Sequence, residues 1–135
     1  MKVDARALAM VLALAAAPVL AAPRTIFLLH AYSGRLPVDV QPPLQSSIGT
    51  AEALLRVWSQ CGIRGEPPKV DFTKRILLLA VRRSSVVKFS GVKLDGGNVT
   101  TNVVVTPDNP PYQTCALVVI DRSGVEKVNG APVGQ

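Results

Sequence analysis

The chain is poor in the residues from which most active sites are assembled. It holds one histidine, His30, and two cysteines, Cys61 and Cys115. A protein metal site takes three or four ligands, and the sequence does not group these residues with carboxylates at ligand spacing. No metal or other cofactor is expected. The C-x-x-C spacing of thiol oxidoreductases is missing. So are the G-x-S-x-G nucleophile elbow, the P-loop and the dinucleotide fingerprint. Acidic residues number nine against fifteen Lys and Arg, a formal net charge of +6. The carboxylates are scattered, and nothing marks the paired acids of a glycosidase. The chain is therefore read as a non-enzyme. Aromatic residues make up 4%, too few for the stacking platforms of single-stranded nucleic-acid binders, so no nucleic-acid partner is expected.

One alternative stays open, a small periplasmic hydrolase or ligand-binding protein that uses His30 with an acidic partner. On strand alternation His30 shares a face with Ile26, Leu28 and Tyr32. A structural role for it is the default.

What is present begins with a leader. Lys2 and Arg6 precede the apolar run "ALAMVLALAAAPVL", residues 7–20, and Val19 and Ala21 are small enough for a cleavage site. This is the layout of a secretory signal peptide, residues 1–21. The run is shorter than the ~20 residues of a membrane-spanning helix and is broken by Pro18. No transmembrane segment is expected in the mature chain, residues 22–135, which is read as a single β-rich domain, periplasmic or secreted. An exported chain with two cysteines most simply joins them. A Cys61–Cys115 disulfide is expected, worth ~4 kcal/mol through chain entropy.

The elements follow from pattern. Residues 24–34, "RTIFLLHAYSG", read as one strand. Pro37, Pro42 and Pro43 break the next stretch into a connector. "TAEALLRVWSQCG" is the single helix signal, near residues 50–61. Thr50 can cap it, Glu52 suits its positive end, and Gly62 can end it in the left-handed region. Leu54, Leu55, Trp58 and Cys61 are expected on its buried face. "ILLLAV", 76–81, is apolar throughout and reads as a central strand covered on both faces. Residues 86–94 and 100–106 flank Asp95-Gly96-Gly97-Asn98, a tight hairpin signal. "CALVVIDR", 115–122, is a further strand, and the tail after it is expected to fray. The sum is an α+β domain, an antiparallel β-sheet of five or six strands with one packed amphipathic helix.

Basic residues gather around the apolar strand: Lys74, Arg75, Arg82, Arg83, Lys88 and Lys93. They read first as gatekeepers against aggregation. In a regular strand Lys88 and Lys93 point to opposite faces. Arg82, Arg83 and Lys88 are the candidate partner-binding residues.

The order "AYSG", a proline-broken connector, "AEALLRVWSQ", "PPKVDFTKRILLLAV" and "NPPYQTCALVVI" resembles the PrcB C-terminal-like domain family of exported bacterial proteins. The most specific marks are Trp58, then Pro68, Val70, Asp71 and Phe72 before the apolar strand, and Pro111-Tyr112 before the last main strand. The likeness runs from about residue 25 to 122. Where that family carries a glycine-rich turn, this chain has "RRSSVVKF", so no ligand role is carried over. The resemblance implies an antiparallel, β-rich, non-catalytic domain. The expected function is thus an exported protein-interaction or accessory domain of the bacterial envelope, whose partner is an unidentified envelope or secreted protein.

Overall fold

The computed structural model describes residues 22–134; the expected signal peptide lies outside the described residues. Apolar residues on both faces of a strand require two covers, and this chain supplies two. The strands are β1 (Arg24–Thr25), β2 (His30–Pro37), β3 (Ser47–Ile48), β4 (Arg75–Arg82), β5 (Val87–Asp95), β6 (Asn98–Val105), β7 (Tyr112–Asp121), β8 (Lys127–Val128) and β9 (Ala131–Pro132). The helix α1 (Ala51–Gln60) falls between β3 and β4. Four strands form one sheet in the order β2-β7-β4-β3, and five form a second in the order β1-β5-β6-β8-β9. The α+β class holds in its coarse form. The strands expected in one sheet are divided between two, and β6 with β8 makes a parallel pair.

The four-stranded sheet is the middle layer. Ile76 and Leu78 of β4 and Val118 and Ile120 of β7 face the second sheet, where they meet Val92, Leu94 and Val99. The alternate residues, Leu77, Leu79, Leu117 and Val119, face α1. This is the double covering that "ILLLAV" implies. Each such side chain contributes roughly 1.5–3 kcal/mol when fully buried.

The Thr50 hydroxyl accepts the Ala53 N–H at 3.2 Å and caps α1. Gly62 ends it at φ +62°. The buried stripe is Ala53, Leu54, Val57, Trp58 and Cys61, whereas Leu55 is 59% exposed. The expected burial of Leu55 is corrected: α1 sets its 54/57/58/61 stripe on the sheet, and Leu55 lies about 100° around from Leu54.

The expected disulfide is also corrected. Cys61 and Cys115 are free, fully buried thiols, not at bonding distance. Cys115 points from β7 toward the end of α1, and both thiols belong to the helix-side core. Contact with Cys61 and burial push the Cys115 thiol well above its usual range. Apolar packing already holds the two elements together there.

Three further expectations change. The first strand is two: Ile26 is buried between the sheets, residues 27–29 cross from one sheet to the other, and β2 begins at His30. His30 therefore does not share a face with Ile26. The tail is pinned, not frayed. β8 and β9 form a small hairpin, Gly134 N–H donates to Ser47 Oγ at 2.9 Å, and Gly49 N–H donates to the Gly134 carbonyl. Finally, β5 carries a bulge between Phe89 and Gly91. The extra residue, Ser90, resets the alternation. Val87, Phe89, Val92 and Leu94 all point inward, so Lys88 and Lys93 share the outer face.

Candidate functional site

β2 is an edge strand, and the two covers leave its first half largely open, closing only over Leu36. Ala31 and Ser33 pair with Val118 and Ala116 and so lie on the side facing the second sheet. Both are nonetheless exposed. The second sheet stops short because β1 accompanies β5 only at its far end, through Arg24–Leu94, Thr25–Lys93 and the Ile26 N–H to the Val92 carbonyl at 2.8 Å. Val87–Gly91 have no strand beside them on that flank among the described residues. The gap is a depression of about 330 Å³ lined by Leu28, Ala31, Ser33, Lys88, Phe89 and Val118. The crossing segment stands at its mouth with Phe27 85% exposed, and Leu28 and Leu29 each about 40% exposed.

The other side of β2 opens into a trough. Its far wall is the connector from Gly62 to Asp71, which two glycines allow to lie on β2. A Cβ at Gly34 would collide with the Cys61 carbonyl oxygen and sit 2.7 Å from Ile63 Cγ1, and Gly62 passes over the Arg35 carbonyl. Trp58 Nε1 donates to the Gly65 carbonyl at 3.0 Å and fixes the connector to α1. The trough has a larger depression of about 670 Å³, which includes Tyr32, Arg35, Trp58, Arg64 and Glu66. A smaller one of about 480 Å³ includes His30, Lys69, Asp71, Lys74 and Arg75. Tyr32 and Pro68 line both. Tyr32 meets Trp58 edge-on at 5.2 Å, and the Arg35 guanidinium lies over Tyr112 at 4.3 Å. Such stacking holds the cation in place while leaving its edge free to bind.

Asp71 builds the turn expected of it. Its Oδ1 accepts from Thr73 N–H at 3.1 Å and Thr73 Oγ1 at 2.6 Å. These bonds hold its carboxyl below the usual range, with a smaller contribution from Lys74 and Arg75. Phe72 packs partly buried on the helix-side core. His30 is exposed in an open cleft with Asp71, and no serine or cysteine lines that cleft. Among the described residues no group of three or more His, Cys, Asp or Glu is placed to hold a metal.

Arg82, Arg83 and Lys88 are not gathered into one cleft. Arg82 lines a separate depression beside Pro42, Leu44 and Thr101. Arg83 Nε donates to the Pro110 carbonyl at 2.8 Å, and Lys88 rims the β2–β5 gap. The serines after the arginines close the turn. Ser84 Oγ lies 2.7 Å from Thr106 Oγ1, Thr106 Oγ1 donates to Asp108 Oδ1 at 2.9 Å, and Thr114 Oγ1 donates to the Ser84 carbonyl. Hydrogen bonds from Ser85, then from Thr106 and Ser84, hold the Asp108 carboxyl down at about 2. Sequence reasoning missed the gap and the trough, since both depend on which strands are neighbours. The adjacent exposed triplet Phe27-Leu28-Leu29 was the available signal, hidden inside an apolar run.

No protein-family model, curated protein or solved structure matches the chain. The likeness to the PrcB C-terminal-like family therefore rests on the quoted residues alone.

Proposed function

We propose that this is an exported, non-enzymatic protein-interaction domain of the bacterial envelope that takes an extended segment of its partner into the gap between β2 and β5. The leader residues support export. The observation that carries the interaction reading is the unaccompanied edge of β5 over Val87–Gly91 beside an apolar floor. A row of backbone N–H and C=O groups at a sheet edge is complemented by another polypeptide strand. Alternate side chains of that strand fit Phe89 and Val118 on one side and solvent on the other. Lys88 at the rim favours an acidic residue flanking the apolar ones.

The test places a photo-crosslinking side chain at Ser33, in the gap, or at Ser59, exposed on the helix. Cells making each variant are irradiated and the adducts are mapped. A partner captured from Ser33 and not from Ser59, and lost when Ser33→Trp fills the gap in a protein labelled at Phe27, supports the reading. Equal capture from both positions, or capture that survives the blocking substitution, sinks it.

A further inference from the structure

We propose that the smaller depression of the trough is a binding site for a phosphate monoester, with the organic body of the ligand lying past Tyr32 toward the larger depression. This site is on the opposite face of β2 from the strand-addition gap and does not depend on it.

Three separate segments bring basic and imidazole side chains together there. His30 comes from the start of β2, Lys69 from the connector, and Lys74 and Arg75 from the start of β4. No ion pair ties Lys69, Lys74 or Arg75 to a carboxylate among the described residues. The single acid in the lining, Asp71, has one oxygen committed to Thr73. Three full positive charges therefore stand against one carboxylate in the lining, with Asp121 outside it across the strand pair from Arg75, and the imidazole of His30 adds a further hydrogen-bonding group. A dianion matches this surplus better than a monoanion. Lysines act as mobile point charges for phosphoryl oxygens and arginine as a fork. The floor is apolar, made by Val70, Val119 and the Tyr32 ring, which favours a ligand with a flat carbon body over a bare ion. Tyr32 and Pro68 belong to both depressions, so a body attached to the phosphoryl group runs along them. It then reaches the edge-on Tyr32–Trp58 pair and Arg35.

The probe is phenyl phosphate, titrated into isotope-labelled protein at pH 8 and constant ionic strength, with backbone amide shifts as the readout. Saturable shifts are expected at His30, Tyr32 and Lys69 to Arg75. The double substitution Lys69→Gln with Lys74→Gln changes only exposed side chains and leaves the fold intact. It should weaken binding about tenfold or more, since it removes two of the positive charges that face the phosphoryl oxygens. Arg82→Gln serves as the control and should change nothing. Benzenesulfonate, a monoanion of similar shape, should bind about tenfold more weakly on the same reasoning. Vesicles containing phosphatidic acid distinguish the source of the phosphoryl group. Sedimentation with them, competed by phenyl phosphate, assigns a lipid headgroup. Retained binding of the soluble ester without sedimentation assigns a free ester. Shifts spread equally over Lys93 and Lys127 of the second sheet, equal affinity for the sulfonate, or unchanged affinity in the double variant would each overturn the site.

Discussion

The two faces of β2 belong to one strand, yet they present different chemistry. Toward the second sheet the strand shows Ala31 and Ser33 over an apolar floor. Toward the helix it shows His30, Tyr32 and Gly34 along a trough rich in cations. Alternation sends successive side chains to opposite sides, so a stretch of eight residues serves two surfaces, which share Tyr32 and Ser33 at their rims. The lesson is that an edge strand left partly open on both sides presents two surfaces, not one. Its neighbours decide the character of each: β5, which β1 accompanies only at its far end, on one side, and the connector after α1 on the other.

The largest effect is expected on the helix side. Trp58 is buried in the helix-side core, touches Tyr32 and holds the connector through Gly65. Trp58→Ala should cost ~3–5 kcal/mol in urea unfolding and loosen the trough wall. A cost below 1 kcal/mol would mean the trough does not depend on the helix layer for its shape.

A sharper contrast comes from adjacent residues. Gly34→Ala puts a Cβ into the Cys61 carbonyl and Ile63, and should destabilise by ~1–3 kcal/mol. Amide exchange should speed up across residues 62–71. Ser33→Ala, one residue away on the other face, should stay within ~0.5 kcal/mol. Equal effects would erase the distinction between the two faces.

The smallest effect concerns the turn leading into β5. Asp108 titrates at about 2 in the folded chain, below the ~3.9 of an unfolded aspartate. The folded state thus binds fewer protons in that interval. The contribution is fully present above about pH 4 and is lost as pH falls toward 2. Asp108→Asn should flatten the acid-unfolding curve in that window, with no change in slope at neutral pH. An unchanged acid limb would show that the turn is held by Ser84, Thr106 and Thr114 alone.

Local signals were legible in the sequence. Thr50 and Gly62 bound the helix, Gly96 and Gly97 turn the β5–β6 hairpin at φ +56° and +83°, and the apolar runs of β4 and β7 are buried on both faces. Relations between distant segments were not. The chain passes between the two sheets at residues 27–29, 83–86, 106–111 and 122–126, and the first of these crossings lies inside an apolar run that gives no break. The outward side of Leu55 depends on which stripe of α1 meets the sheet. The expected Cys61–Cys115 disulfide is not there: composition and compartment place both thiols in one core but do not set the distance between two sulfurs. Arg82, Arg83 and Lys88 are close in sequence and separate in space because a turn and a sheet boundary lie among them.

The bulge in β5 has a genetic consequence. Ser90 is exposed and bonds only to the Asn102 carbonyl through its side chain, so most replacements there should pass unnoticed. Loss of its codon is another matter. Regular alternation would return, and one half of the strand would have to turn over. Either Val92 and Leu94 would go to solvent with Lys93 turned into the core, or Val87 and Phe89 would leave the gap floor. A position indifferent to spelling is thus intolerant of shortening, and in a collection of related genes it should vary freely in letter while never being skipped.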